Sequence, residues 1–212
     1  EGGGLLQATE QQLAAAHEAS GTGGMIVSDE VEFEKLPTTI ASARAFVAQA
    51  KGDVAGTITH AKQALALLPE ADHLGRAIPN SLLALAYWAN GNLDAAYEAL
   101  FNGMAGFEKV GNVMAAISGV FGMADIKITL GQLNEAQRIY EKALRYVQAQ
   151  GMPKVRGVEV LQLGLSELHR ERGEWEVADE LWQKAEALGQ HSIEPIYQYR
   201  NRVWLANLKA EQ

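Results

Sequence analysis

Residues 85–96, Leu85-Ala86-Tyr87-Trp88-Ala89-Asn90-Gly91-Asn92-Leu93-Asp94-Ala95-Ala96, read as the end of one helix, a tight turn at Gly91-Asn92 and the start of another. The same grammar returns three times. Gly52-Asp53-Val54, Gly131-Gln132-Leu133 and Gly173-Glu174-Trp175 are each a glycine, a polar residue and an apolar one. Taken with Gly91, these glycines stand 39, 40 and 42 residues apart. A fixed period of about 40 in a helical pattern predicts a solenoid of helix pairs. One pair cannot bury its apolar face alone, and stacked pairs can.

Working outward, Pro37 opens a helix that runs to about Lys51, since proline is tolerated in a first turn. Gly52 stops it, Asp53 caps the next helix, and Pro69 prevents continuation past about Leu68. The second pair covers about residues 76–90 and 92–108, with Pro79 in the first turn or kinking the start. The third covers about 113–130 and 132–149, and the fourth about 154–172 and 174–188, entered at Pro153. A last helix enters at Pro195. Upstream, residues 5–19 are alanine-rich with Leu6 and Leu13 on one face, and Gly21-Thr22-Gly23-Gly24 breaks that helix. Residues 29–34 alternate acidic and apolar, and read as an acidic lead-in rather than an isolated strand. The expected organisation is a stray helix and flexible acidic lead-in over 1–36, then four helix pairs plus the first helix of a fifth over 37–212. Both ends read as cuts within a larger protein.

Counting from each turn glycine exposes a packing code. Seven residues before it stand Ala45, Ala84, Ala124 and Ser166, with Ala206 fitting the same slot in the last helix. Five after it stand Thr57, Ala96, Ala136 and Ala178; nine after, Ala61, Leu100, Tyr140 and Trp182; twelve after, Ala64, Gly103, Ala143 and Ala185. Small residues on both helices let the pair approach closely, and the larger ones fill the space toward the next pair.

This pattern resembles the tetratricopeptide repeat in a lengthened form, over about residues 37–212. The stretches Leu82-Leu83-Ala84-Leu85-Ala86-Tyr87-Trp88, Ala64-Leu65-Ala66-Leu67-Leu68-Pro69 and Tyr140-Glu141-Lys142-Ala143-Leu144 are similar to the large ATP-binding LuxR-type regulators, of which the bacterial maltose activator is representative. The resemblance implies an all-α superhelix of helix pairs and a role in a multidomain transcriptional regulator. In such proteins the helical repeats receive an inducer or a partner protein. They lie between an ATPase and a helix-turn-helix, both expected in the full-length chain. Neither a phosphate loop nor a basic recognition helix occurs in this sequence, so neither ATP hydrolysis nor DNA binding is assigned to it. The alternative is a free-standing peptide- or protein-binding scaffold or co-chaperone module.

The resemblance also implies where a ligand sits, because first helices line the inner groove. The inward positions lie ten, six and three residues before each turn glycine. They are Ser42, Phe46 and Gln49; Ser81, Leu85 and Trp88; Phe121, Asp125 and Ile128; and Leu163, Glu167 and Arg170. In the last helix they are Val203, Asn207 and Ala210, with Arg200 one turn earlier. The groove is aromatic and apolar at first and charged toward its C-terminal end. That mix suits a peptide, a protein segment or a small-molecule inducer. By the same alignment Tyr87 is core, and Trp175 and Trp182 are packing residues.

Composition narrows the classes. A formal charge of −8, with 26 acidic against 18 basic residues, repels phosphate backbones and disfavours nucleic acid. The absence of cysteine removes disulfides and thiol catalysis and fits a reducing, cytoplasmic setting. No signal sequence or run of about 18 apolar residues occurs, so no membrane role is expected. The histidines His17, His60, His73, His169 and His191 include no pair at zinc spacing. His169 reads as a solvated helix end. The neighbouring carboxylates have no reason to be buried in different environments, as acid–base chemistry requires. No Gly-x-Ser-x-Gly occurs, and Gly119-Val120-Phe121-Gly122 falls inside a helical register, where close packing accounts for it. No enzyme activity and no cofactor are expected.

Overall fold

Asp53 shows how the helices are delimited. Its carboxylate accepts from the Gly56 N–H at 2.8 Å and caps the helix Val54–Leu67. The computed structural model describes Gln11, residues 30–190 and residues 195–210. Among these it contains α1 (Glu30–Ala50), α2 (Val54–Leu67), α3 (His73–Ala89), α4 (Leu93–Lys109), α5 (Val113–Ser118), α6 (Val120–Thr129), α7 (Leu133–Ala149), α8 (Val158–Glu171), α9 (Trp175–Gly189) and α10 (Pro195–Ala210). The chain divides into two compact units, Glu1–Gly106 and Phe107–Gln212.

The repeated turn is a left-handed glycine. Gly52, Gly91, Gly131 and Gly173 have φ between 71° and 78°. At Gly91 the Asn92 N–H reaches back to the Tyr87 carbonyl at 2.9 Å, the long bond of a Schellman stop, and Asn92 then opens α4. Gly111 and Gly151, with φ of 71° and 70°, make the same turn after α4 and α7. The glycine grammar therefore also operates at the half period, between repeats as well as within them.

Four helix boundaries differ from expectation. α1 begins at Glu30, so the acidic stretch is helical and Pro37 lies within the helix rather than opening it. The remainder of the expected N-terminal segment, with its helix over 5–19 and glycine break, lies outside the described residues apart from Gln11. α3 begins at His73, and Pro79 is buried well inside it. The cause is local: Asp72 accepts from the Gly75 N–H at 2.8 Å, and Arg76 ties the early turn to the Leu65 and Leu68 carbonyls of α2, each at 2.9 Å. The expected helix over 113–130 is broken at Gly119 into α5 and α6. Each glycine weakens a helix by about 1 kcal/mol relative to alanine, and Gly119 and Gly122 fall within one turn. The fourth pair is entered late, at Val158, after Gly157 with φ 103°.

The packing code holds. Ala45, Ala84, Ala124 and Ser166 are buried, as are Thr57, Ala96, Ala136 and Ala178. Ser166 adds a bond at this contact, its Oγ donating to the Ala178 carbonyl at 2.7 Å between α8 and α9. Ala206 is exposed. In the first unit Gly103 and Gly106 let α4 lie against α3: a Cβ on Gly106 would stand 2.7 Å from the His73 carbonyl oxygen. In the second unit the core gathers Val113, Ile117, Val120, Val147, Val158, Leu161 and Leu165 around Tyr140.

Candidate functional site

The expected inward positions fall into two sets. In the first unit Ser42, Phe46 and Gln49 lie on α1, and Ser81, Leu85 and Trp88 on α3. Phe46 is 58% exposed, Leu85 52% and Trp88 38%, whereas Ser42, Gln49 and Ser81 are half-buried. The Ser81 hydroxyl is spent on the Ala77 carbonyl at 3.0 Å. These two helices, which touch each other, thus present three large apolar side chains to solvent.

In the second unit a cavity of about 570 Å³ opens among α6, α8 and α10. Asp125 and Ile128 come from α6, Glu167 and Arg170 from α8, and Arg200 from α10. With Val203, also of α10, six of the expected inward positions therefore converge on one pocket. Leu133, Leu168, Ile196, Val203 and Trp204 supply its apolar wall, with Tyr199 and Glu171 at its margin. Phe121 is turned to a smaller cavity of about 100 Å³, beside Ile117 and Val160. Leu163 is wholly buried and belongs to the core with Val160, Ala185, Tyr197 and Trp204, not to any groove. The side chains of Asn207 and Ala210 lie outside the described residues.

Arg200 organises the pocket. It is 9% exposed. Its Nε donates to both Glu167 oxygens at 3.1 and 3.0 Å, and its Nη2 donates to Glu167 Oε2. Its Nη1 stands 3.6 Å from Asp125 Oδ1. Burial opposes the guanidinium charge, but the bonds to Glu167 and the neighbouring carboxylates outweigh it and raise the pKa above its usual value. Burial also pushes the Asp125 carboxyl above the usual carboxylate range, more than Arg200 lowers it, and Glu167 pushes in the same direction as burial. Tyr140 lies beneath, fully buried, and burial raises its hydroxyl above the ordinary phenol range.

Groove arithmetic misses Leu133, Leu168, Glu171, Ile196, Tyr199 and Trp204 among the pocket residues. Trp204 follows Arg200 by one helical turn and so shares its face, a signal present in the sequence. It stacks on Trp182 of α9, with ring centroids 4.7 Å apart, and Trp182 Nε1 donates to Asn201 Oδ1 at 2.8 Å. Trp182 is thus a packing residue, as expected, but Trp175 is 48% exposed. Tyr87 is half-buried rather than core, with the Lys62 ammonium 5.8 Å from its ring centre. His169 is more enclosed than a solvated end, and its Nδ1 pairs with Glu174 across the turn. Among the described residues no cluster of His, Asp or Glu could hold a metal ion, and no helix is long and apolar enough to cross a membrane.

Comparison with known proteins identifies the architecture. The family described as the MalT-like TPR region matches residues 38–212. The crystal structure of a Podosopora anserina protein assigned as a kinesin light chain, with nearly identical TPR-like repeats, superposes with a TM-score of 0.63 at 20% identity. It covers 89% of this chain and 87% of its own. A single-substitution form of the same protein gives the same score and identity, over 88% and 87%. At that identity the likeness shows the fold alone, a solenoid of tetratricopeptide-like helix pairs. No curated protein matches the chain.

Proposed function

The chain belongs to the MalT-like TPR family, and from that premise we propose that it is the sensor or protein-interaction domain of a multidomain, cytoplasmic bacterial transcriptional regulator. Tetratricopeptide-like folds are in general non-catalytic interaction scaffolds, and we assign no enzyme activity to this one. The observation that carries the reading is the pocket among α6, α8 and α10, whose volume of about 570 Å³ is that of a small-ligand site. Its walls come from helices of three successive repeats, so an occupant touches all three. A ligand that fits one arrangement of those helices better than another shifts the equilibrium between them, and that shift is what an attached ATPase would sense. The signal is limited to the ligand's differential affinity for the two arrangements.

A second reading, a free-standing scaffold for a peptide or protein segment, is favoured by the exposed Phe46, Leu85 and Trp88 of the first unit. Apolar anchors of this kind seat a partner helix or an extended segment. Two tests separate the readings. The gene's flanking sequence should encode an upstream phosphate loop and a downstream helix-turn-helix, and with neither the regulator reading falls. A thermal-shift screen of small metabolites and peptides should yield hits. Val203→Trp, which fills the second unit's pocket from an exposed position, should abolish them, and Trp88→Ala should leave them unchanged. Hits lost only in Trp88→Ala would favour the scaffold.

A further inference from the structure

The pocket of the second unit holds hydrogen-bonding groups that nothing in the fold matches. Arg200 gives Nε and Nη2 to Glu167, but its Nη1 is buried and makes no hydrogen bond among the described residues. Trp204, 3% exposed and lining the same pocket, has its indole N–H buried without an acceptor. The buried Tyr140 hydroxyl lies beneath them with Arg200 as its charged neighbour. Asp125 lines the pocket, and its Oδ1 stands 3.6 Å from Arg200 Nη1, beyond hydrogen-bond distance. A buried donor or acceptor left unmet costs about 1–3 kcal/mol. Unmatched donors on Arg200 and Trp204, beside the open carboxylate of Asp125 at the wall of one cavity, describe the complement of a ligand.

Charge selects the ligand's class. The lining holds three carboxylates, Asp125, Glu167 and Glu171, against the two guanidiniums of Arg170 and Arg200, a surplus of negative charge that disfavours a carboxylate or a phosphate. An ammonium at Asp125 would sit against Arg200 Nη1. An uncharged group with an acceptor and a donor side by side meets both walls. A carboxamide offers them on separate atoms roughly 2.2 Å apart by its bond lengths. Its oxygen has two lone pairs, enough for Arg200 Nη1 and the Trp204 indole together.

We propose that this pocket, taken as the ligand site of the reading above, binds its ligand through an uncharged carboxamide held between Asp125 and Arg200. The ligand's apolar remainder lies against Ile128, Leu133, Ile196 and Val203. The group can belong to a small molecule or to a glutamine or asparagine of a partner segment.

The test is a titration of the whole chain, followed in ¹H–¹⁵N spectra through the assigned indole N–H of Trp204. The probes are four isosteres: 3-methylbutanamide, 3-methylbutanoate, 3-methylbutylamine and 3-methylbutanol. The amide should move the Trp204 resonance and bind at least about tenfold tighter than the others. Asp125→Ala should remove that preference and Asp125→Asn, which keeps an acceptor oxygen, should restore it. Equal binding across the series, or tightest binding of the acid, amine or alcohol, overturns the carboxamide and leaves the pocket as a ligand site. No movement with any of the four overturns this proposal, while the wider reading stands or falls on its own screen. N-acetyl-Leu-Gln-Leu methylamide, compared with its all-leucine counterpart, distinguishes the sources. A gain from the glutamine over 3-methylbutanamide points to a partner segment, and a loss points to a free small molecule.

Discussion

Tyr140 on α7 lies so close to Gly164 on α8 that a methyl group built on the glycine would overlap the tyrosine's Cζ and hydroxyl. Gly164 is therefore set by the size of its neighbour, even though glycine costs a helix interior about 1 kcal/mol against alanine. Gly164→Ala should recover that propensity and lose more to overpacking, for a net destabilisation of about 1–3 kcal/mol. Urea unfolding of the variant measures it. Pairing it with Tyr140→Leu should cost less than the two changes summed, because the ring that clashes is gone. The same logic predicts a loss for Gly189→Ala, which would meet the ring of Tyr197 on α10.

The bond between Arg200 and Glu167 should rank far above the ion pairs on the surface. Arg200 and Glu167 have side chains 10% and 25% exposed, whereas Arg138 and Glu135 are 73% and 50% exposed. Removing one partner of a buried pair strands the other's charge, at about 3–5 kcal/mol. Removing one partner of an exposed pair is worth at most about 1 kcal/mol. Glu167→Ala should thus lower unfolding free energy severalfold more than Glu135→Ala. Because α8 and α10 are joined through this bond, Glu167→Ala should also increase amide exchange along α10 ahead of global unfolding.

What the sequence makes legible follows from how many partners a position answers to. Ala45, Ala84, Ala124 and Ser166 obey one constraint, the approach of two helix backbones, so their smallness repeats with the turn glycines and can be counted. Asp125, Glu167 and Arg200 can be placed on the right face by the same count, and they do converge. Leu163 satisfies that count equally and is core, because whether an inward position is open depends on what the next helix lays over it, and here Tyr197 and Trp204 share its cluster. Trp204, Tyr199 and Ile196 line the pocket from positions of α10 that the inward count, which reaches Arg200 and Val203, passes over. Helix starts at Glu30 and His73 are obscured by Pro37 and Pro79, since a proline within a helix reads as a boundary until a competing cap such as Asp72 is weighed against it.

Gly111 is the clearest case of a signal present in the sequence at an unexpected spacing. Gly111-Asn112-Val113 repeats Gly91-Asn92-Leu93 after 20 residues, half the main period. Both glycines have positive φ, 71° and 78°, and a Cβ on either would meet nothing within 4 Å. Alanine at these sites therefore loses only backbone freedom, not packing. Gly91→Ala and Gly111→Ala should each cost about 1–2 kcal/mol in thermal or urea unfolding, and asparagine at either site should cost less. Equal losses at the two sites would confirm that turns within and between repeats are mechanically equivalent. A negligible loss at Gly111 would show that the second kind of turn relaxes freely.

Asp125 should make stability depend on acid pH in the direction opposite to an ordinary paired carboxylate. Burial raises its folded pKa above the ordinary value of 3.8, and Arg200 does not offset the rise. The folded state then holds a proton more tightly than the unfolded state. By linkage, the stabilising contribution of protonated Asp125 is fully present below the unfolded pKa and is lost as pH rises through the folded pKa. At neutral pH the ionised, poorly solvated carboxylate is a net cost. Asp125→Asn, which keeps the shape and an acceptor oxygen without the charge, should be at least as stable as the wild type at pH 7. Its advantage should shrink as pH falls toward and below 3.8. Urea unfolding of both proteins across that range reads the difference directly. An advantage that instead grows on acidification would mean that Arg200 lowers the Asp125 pKa more than burial raises it.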